Sequence, residues 1–209
     1  MERVMIAGAN GTTGKKIVHL LNTSQYFEPV AMVRKEEQIA QFKNIGIDTV
    51  LADLEQDISG TLKNIDKVIF AAGSGGKKVV EVDEKGACKM IDDAISNHIK
   101  KFVMLSSMGA DKPSEAKELK EYLEAKHNAD EYLKSSKLMY AIVRPGSLTN
   151  EKGTGKINLA ESLNTSGFIS RDDVAQTLVR TLHDDAPKNT TFEILEGETL
   201  IGKALELDA

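Results

Sequence analysis

A single cysteine in 209 residues leaves this chain without an internal disulfide. A reducing, cytoplasmic compartment is the expectation that follows. Cys88 stands among Ala87, Met90 and Ile91, the setting of a helix core position rather than of a reactive thiol. No apolar run approaches membrane-spanning length, and residues 1–7 lead straight into a short apolar segment, so neither a membrane span nor a signal peptide is expected. Charge of one sign is not in excess. With 27 Lys+Arg against 32 Asp+Glu the formal charge is −5, and no basic face stands out to hold a nucleic acid. The four histidines (His19, His98, His127 and His183) are dispersed without a second ligand at i+4, so no metal is assigned. Neither a G-x-S-x-G elbow nor a P-loop is present, because Gly14-Lys15-Lys16 lacks the P-loop spacing and its Ser/Thr. Internal repeats are also missing. The length fits one domain over 1–209, with small substrate-side elements from 147–170.

The chain does contain a glycine-rich turn at its start: Gly8-Ala9-Asn10-Gly11-Thr12-Thr13-Gly14. Val4-Met5-Ile6-Ala7 before it reads as a short buried strand, and Lys15–Leu21 after it has the apolar spacing of an amphipathic helix. Strand, glycine turn and helix in that order make an anion site. Glycine permits φ > 0 and close backbone approach, while the helix N-terminus offers unpaired N–H groups and the positive end of its dipole. The spacing, G-x-x-G-x-x-G, differs by one residue from that of ordinary dinucleotide dehydrogenases.

Strand-like and helical stretches alternate through most of the sequence. Candidate strands are 3–7, 29–34, 47–52, 67–71, 101–106, 139–144 and 191–195; helical stretches lie near 12–21, 36–43, 82–98, 115–135 and 171–183. Ser114 is a good N-cap for the fourth helix, and Asp172-Asp173 suit the first turn of the fifth. Short runs that are apolar throughout fit strands covered on both faces. The expected fold is therefore α/β, a doubly wound, mostly parallel, Rossmann-like sheet with helices on both faces. The segment 147–167, rich in Gly, Asn, Thr, Ser and Lys, reads as either a mobile surface loop or a substrate lid.

Ligands on such sheets bind beyond the carboxyl ends of the strands. The second strand ends in Arg34-Lys35, two cations that suit a ribose 2′-phosphate, which favours NADP(H) over NAD(H). Asp53-Leu54 follow the third, where the carboxylate can meet an adenine amino group or cap a turn. Ala72 and Gly73 follow the fourth and leave room for a ribose, as a flexible turn would also do. After the fifth come Ser106 and Ser107, of which alternation turns one toward the cleft. Tyr122 and Lys126 share a helix face at i, i+4, so an ammonium can sit near a phenol and favour its ionised form. That pair can serve as a proton donor to a carbonyl accepting hydride.

Taken together, these strings resemble the atypical branch of the short-chain dehydrogenase/reductase superfamily, which includes biliverdin reductase B/flavin reductase-like proteins, NmrA-like proteins and proteins named as epimerases. The resemblance spans nearly the whole chain. It rests on G-x-x-G-x-x-G, Val33-Arg34, Asp53-Leu54, Phe102–Ser107, Tyr122-x-x-x-Lys126, Tyr140–Gly146 and Ser170–Ala175. It implies that Ser107 polarises the substrate, Tyr122 is the acid/base, and Lys126 holds the nicotinamide ribose. It also implies that Ser106 lies at the cofactor and that Pro145-Gly146 passes beside the nicotinamide. No asparagine completing the tetrad of many relatives is evident, and the stretch after residue 144 is short for a sugar-nucleotide lobe. The activity implied is NADP(H)-dependent reduction of a small carbonyl, quinone or flavin-like molecule by a monomer or homodimer. A non-catalytic NmrA-like redox sensor and a sugar epimerase or dehydratase are the alternatives.

Overall fold

The computed structural model describes residues 1–116 and 118–206. Its frame is a nine-stranded sheet. Seven strands come from the apolar runs: β1 (Glu2–Ala7), β2 (Phe27–Val33), β3 (Asp48–Leu51), β4 (Lys67–Phe70), β5 (Lys101–Leu105), β6 (Tyr140–Pro145) and β10 (Thr190–Glu196). Two come from a region without an apolar run, β8 (Lys156–Ala160) and β11 (Thr199–Leu200). The spatial order is β11-β8-β10-β6-β5-β4-β1-β2-β3, parallel except where β8 runs antiparallel to its two neighbours. The chain leaves β1 to one side for β2 and returns to the other for β4, so a crevice opens between them at their carboxyl ends.

Continuous apolar runs are required because both faces are covered. Val4 and Ile6 belong to one core with Ile17 and Leu21 of α1 (Thr12–Asn22) and Val174 and Leu178 of α5 (Arg171–Thr181). Met5 and Ala7, pointing the other way, pack with Met90 and Ile91 of α3 (Lys85–Ser96) and Leu133 of α4 (Lys120–Ser135). Two short helices complete the chain, α2 (Glu36–Lys43) and α6 (Ile201–Ala204).

The structure departs from the sequence expectations in three places. The helix expected over 115–135 does not begin behind Ser114. Pro113–Glu115 make one 3-10 turn, and α4 starts at Lys120 after Leu119, which has φ +59°; Lys117 lies outside the described residues. The helix expected from residue 82 is preceded by a π-helical turn over Val79–Glu84. The third departure is the segment 147–167, which holds strands where no strand was expected. It contains β7 (Ser147–Thr149), paired with β9 (Phe168–Ser170), and β8 within the main sheet. Its polar residues sit there because Asp173 anchors them: the Asp173 carboxylate accepts from Thr154 N–H at 3.0 Å and Gly155 N–H at 2.7 Å. Ser170 caps α5 by accepting from Asp173 N–H at 3.0 Å and donates its hydroxyl to the same carboxylate at 2.8 Å. The acidic pair thus begins the helix as expected and also fastens the preceding loop.

Candidate cofactor and active site

Gly8 follows β1 at φ +88°, and a Cβ there would lie 2.6 Å from the Ala72 nitrogen and 2.7 Å from the Ala71 carbonyl oxygen. Only glycine lets the turn after β1 pass that close to the end of β4. A Cβ at Gly14 would overlap the Gly8 carbonyl oxygen, so the first turn of α1 closes onto the same turn. Gly11 is the N-cap of α1 and contributes no side-chain cap, and the first turn holds no acidic residue. The positive helix end is therefore left for something else to neutralise.

That end faces a cleft of about 470 Å³ between the loops after β1, β2, β3 and β4. Of the expected cofactor residues, Gly8, Asn10, Gly11, Arg34, Asp53, Leu54, Ala72 and Gly73 line it. Two buried polar atoms in its wall, Asn10 Oδ1 and Ser74 Oγ, have no hydrogen-bond partner among the described residues. Unpaired buried acceptors and donors are costly, so this wall offers polar atoms that a ligand or an ordered water would satisfy. Arg34 and Lys77 bring cations to the lining, and Lys78 is engaged by Glu55 at 2.6 Å. Seven expected residues stand apart from the lining: Thr12, Thr13 and Gly14 follow Gly11 into α1, Lys35 has its ammonium 3.3 Å from Glu37, and Ser106, Pro145 and Gly146 lie at the ends of β5 and β6. The donor set and the glycine geometry fit a dinucleotide phosphate.

The expected catalytic residues lie at the carboxyl end of β5 and on α4, outside the lining of this cleft. Lys126 is 3% exposed; its ammonium donates to the Leu105 carbonyl at 3.2 Å and stands 5.7 Å from the centre of the Tyr122 ring. Tyr122 is half-buried and packs in neither apolar core. Ser107 is half-exposed, with its hydroxyl 3.2 Å from the Met108 carbonyl. Ser106, by the alternation of the strand end, points inward instead. Its hydroxyl donates to Asp130 Oδ2 at 2.8 Å, and Arg144 donates to the same oxygen from Nε at 3.0 Å and Nη2 at 2.9 Å. Burial raises the Asp130 carboxyl above the ordinary carboxylate range, against the opposing pull of Arg144 and Ser106. Tyr122, Lys126 and Asp130 thus form an i, i+4, i+8 stripe on α4.

Pro145 ends β6 and Gly146 follows it; a Cβ at Gly146 would meet the Gly167 carbonyl oxygen at 2.6 Å, so glycine is required where the chain entering β9 approaches. Cys88 is half-buried on α3 rather than in the core, and desolvation raises its thiol to about 11, which makes it a poor nucleophile. Two features carried no local sequence signal: the inward network of Asp130 and Arg144, and the position of Asp83 beside Lys126. Both depend on contacts between distant elements.

Fold and cleft together define a Rossmann-like dinucleotide-binding protein. The chain belongs to the NAD(P)H-binding family, which matches residues 8–185. It is 43% identical over 212 residues, 98% of this chain and 99% of the relative, to the Bacillus subtilis protein named "Uncharacterized sugar epimerase YhfK". Among solved structures it superposes with TM-score 0.92 and 40% identity on a Bacillus halodurans protein whose name assigns it provisionally to the NAD-dependent epimerases/dehydratases. That match covers 97% of this chain and 98% of the other. An anaerobillin reductase, ChuY, from Escherichia coli O157:H7 shares the fold at TM-score 0.83 and 21% identity, covering 94% and 98%.

Proposed function

We propose that this protein is an NADP(H)-dependent oxidoreductase that reduces a small carbonyl, quinone or flavin-like acceptor. The observation that carries the reading is the placement of Tyr122 and Lys126 on one face of α4, tied through Leu105 to the strand end that bears Ser107. A tyrosine kept out of both cores, with an ammonium near its ring, suits a proton donor better than a packing residue.

In this reading Gly8, Asn10, Gly11 and the first turn of α1 (Thr12, Thr13, Gly14) bind the pyrophosphate, and Arg34 binds the 2′-phosphate through its planar fork. Asp53 and Leu54 bracket the adenine, Ala72 and Gly73 lie against a ribose, and Pro145-Gly146 border the nicotinamide. The cofactor, when bound, supplies the hydride. Ser107 holds the substrate oxygen, Tyr122 gives that oxygen its proton, and Lys126 stabilises the negative charge left on the phenol.

The test is NADPH oxidation with menadione, FMN and a panel of small aldehydes as acceptors, comparing the wild type with Tyr122→Phe. The variant keeps NADPH affinity and loses about 10²-fold or more in kcat, the scale of general acid catalysis. Undiminished turnover by Tyr122→Phe would remove the tyrosine from the mechanism.

A further inference from the structure

Asp83 is the link between the cofactor cleft and the tyrosine–lysine pair. It lies in the π-helical turn Val79–Glu84, and π turns recur at functional sites because they re-aim side chains within a helix. Val82, its neighbour, lines the cleft, while Asp83 itself is only 1% exposed. One carboxylate oxygen, Oδ2, accepts from Ser74 N–H at 3.0 Å. The other, Oδ1, is 3.6 Å from Lys126 Nζ. Gly73 passes so near that a Cβ there would sit 3.2 Å from Oδ1, and both Gly73 and Ser74 line the cleft. Two buried ions are expensive to take from water, and an apolar pair of similar volume is often neutral or stabilising in their place. The pair therefore calls for a reason other than stability.

We infer that Asp83 is a positioning residue for the nucleotide: it holds the Lys126 ammonium in place and fixes that ammonium relative to the Gly73-Ser74 wall of the cleft. It touches neither nucleotide nor substrate and acts through Lys126. The inference rests on the reading of Lys126 as the group that meets the nicotinamide-side ribose. Asp130, four residues further along α4, is bonded instead to Ser106 and Arg144 through its Oδ2, and no ion pair joins it to Lys126 among the described residues.

The experiment is a double-variant cycle of Asp83→Asn and Lys126→Met, read by two quantities. Asparagine still accepts from Ser74 N–H but carries no charge, so the cycle isolates the link to Lys126. The first quantity is thermal melting of the nucleotide-free protein. Asp83→Asn strands a buried ammonium and lowers Tm, and adding Lys126→Met restores most of the loss. The second is affinity by fluorescence or calorimetry for NADPH and for adenosine 2′,5′-bisphosphate, which lacks the nicotinamide half. Asp83→Asn weakens NADPH roughly tenfold and leaves the bisphosphate within about twofold, and in the Lys126→Met background it has no further effect on NADPH. If Asp83→Asn alone does not fold, the double variant against Lys126→Met carries the same comparison. Equal loss in both backgrounds, or equal loss for both ligands, would show that Asp83 only supports the loop and would overturn the inference. If the wild type bound neither nucleotide while the melting cycle still showed coupling, the cofactor reading would fail and the positioning role with it, leaving only an ion pair.

Discussion

The amino-edge cluster of the sheet and its carboxyl-edge cleft treat charged and polar groups in opposite ways. At the amino edge, Lys67 is 2% exposed and its ammonium is fully engaged: Glu2 at 2.7 Å, Asp184 at 3.0 Å, the Leu182 carbonyl at 2.9 Å and the Phe27 ring at 5.4 Å. Lys100 closes the same cluster through Glu2 at 3.0 Å and Asp66 at 2.8 Å. At the carboxyl edge, Arg34 and Lys77 reach the cleft with no acid within 4.0 Å among the described residues, and Asn10 Oδ1 and Ser74 Oγ have no partner there. Charge that is closed on itself holds the fold together; polar groups left open are where a bound ligand would complete the set. The same contrast separates the two serines after β5, Ser106 locked to Asp130 and Ser107 free of any charged partner.

The contrast can be broken at either edge. The largest effect is expected from Gly14→Val, whose side chain would collide with the Gly8 carbonyl: urea denaturation should show a loss above about 3 kcal/mol, with NADPH binding gone. Next is Lys67→Met, which strips the amino-edge cluster of its central cation and leaves the Leu182 carbonyl unpaired. Because Glu2 and Asp184 remain partly in water, the loss should be about 2 kcal/mol, read by the same method.

Lys101→Met sharpens the comparison, because this lysine is a poorly satisfied cation of the amino edge. It is 1% exposed, and its ammonium has only the His183 carbonyl at 3.2 Å. Burial, followed by repulsion from Lys67 and Lys188, lowers it from 10.5 to about 8. Below that value the folded protein must carry the charge at a cost, whereas the unfolded chain keeps its proton up to about 10.5, so the wild type gains stability as pH rises through that interval. The methionine variant should be about 1–2 kcal/mol more stable at pH 7 and should lose that part of the pH slope, as equilibrium denaturation at several pH values will show.

Most of the frame was legible in the sequence because both-face burial leaves a local record: seven apolar runs became seven strands of the main sheet, and the glycine turn sits between β1 and α1 as its spacing requires. The rest was not legible, for identifiable reasons. β8 contains Lys156 and Asn158 and is a strand only because β10 offers it an edge and Asp173 fixes the loop before it. Leu119 starts α4 at φ +59°, a conformation that no propensity scale would place at a leucine. Ser114 had the right chemistry for a cap but closes only a 3-10 turn. At the site, the residues whose roles come from backbone geometry, Gly8, Gly14 and Gly146, could be found by pattern. Asp83 and Asp130 could not, since each becomes informative only when a residue more than ten positions away is folded against it.

The smallest effect on stability and the most direct test coincide in Arg34. Arg34→Ala should leave the unfolding free energy within about 0.5 kcal/mol of wild type, as expected for an exposed cation without an acidic partner. The measurement is titration of the nucleotide-free protein and this variant with NADPH and with NADH. The account predicts saturable binding of both by the wild type, NADPH the tighter, and a roughly tenfold loss for NADPH alone in Arg34→Ala, the scale of one charge-assisted phosphate contact. Failure of the wild type to bind either nucleotide would contradict the reading of the carboxyl-edge cleft as a dinucleotide site; unchanged NADPH affinity in the variant would contradict the 2′-phosphate assignment.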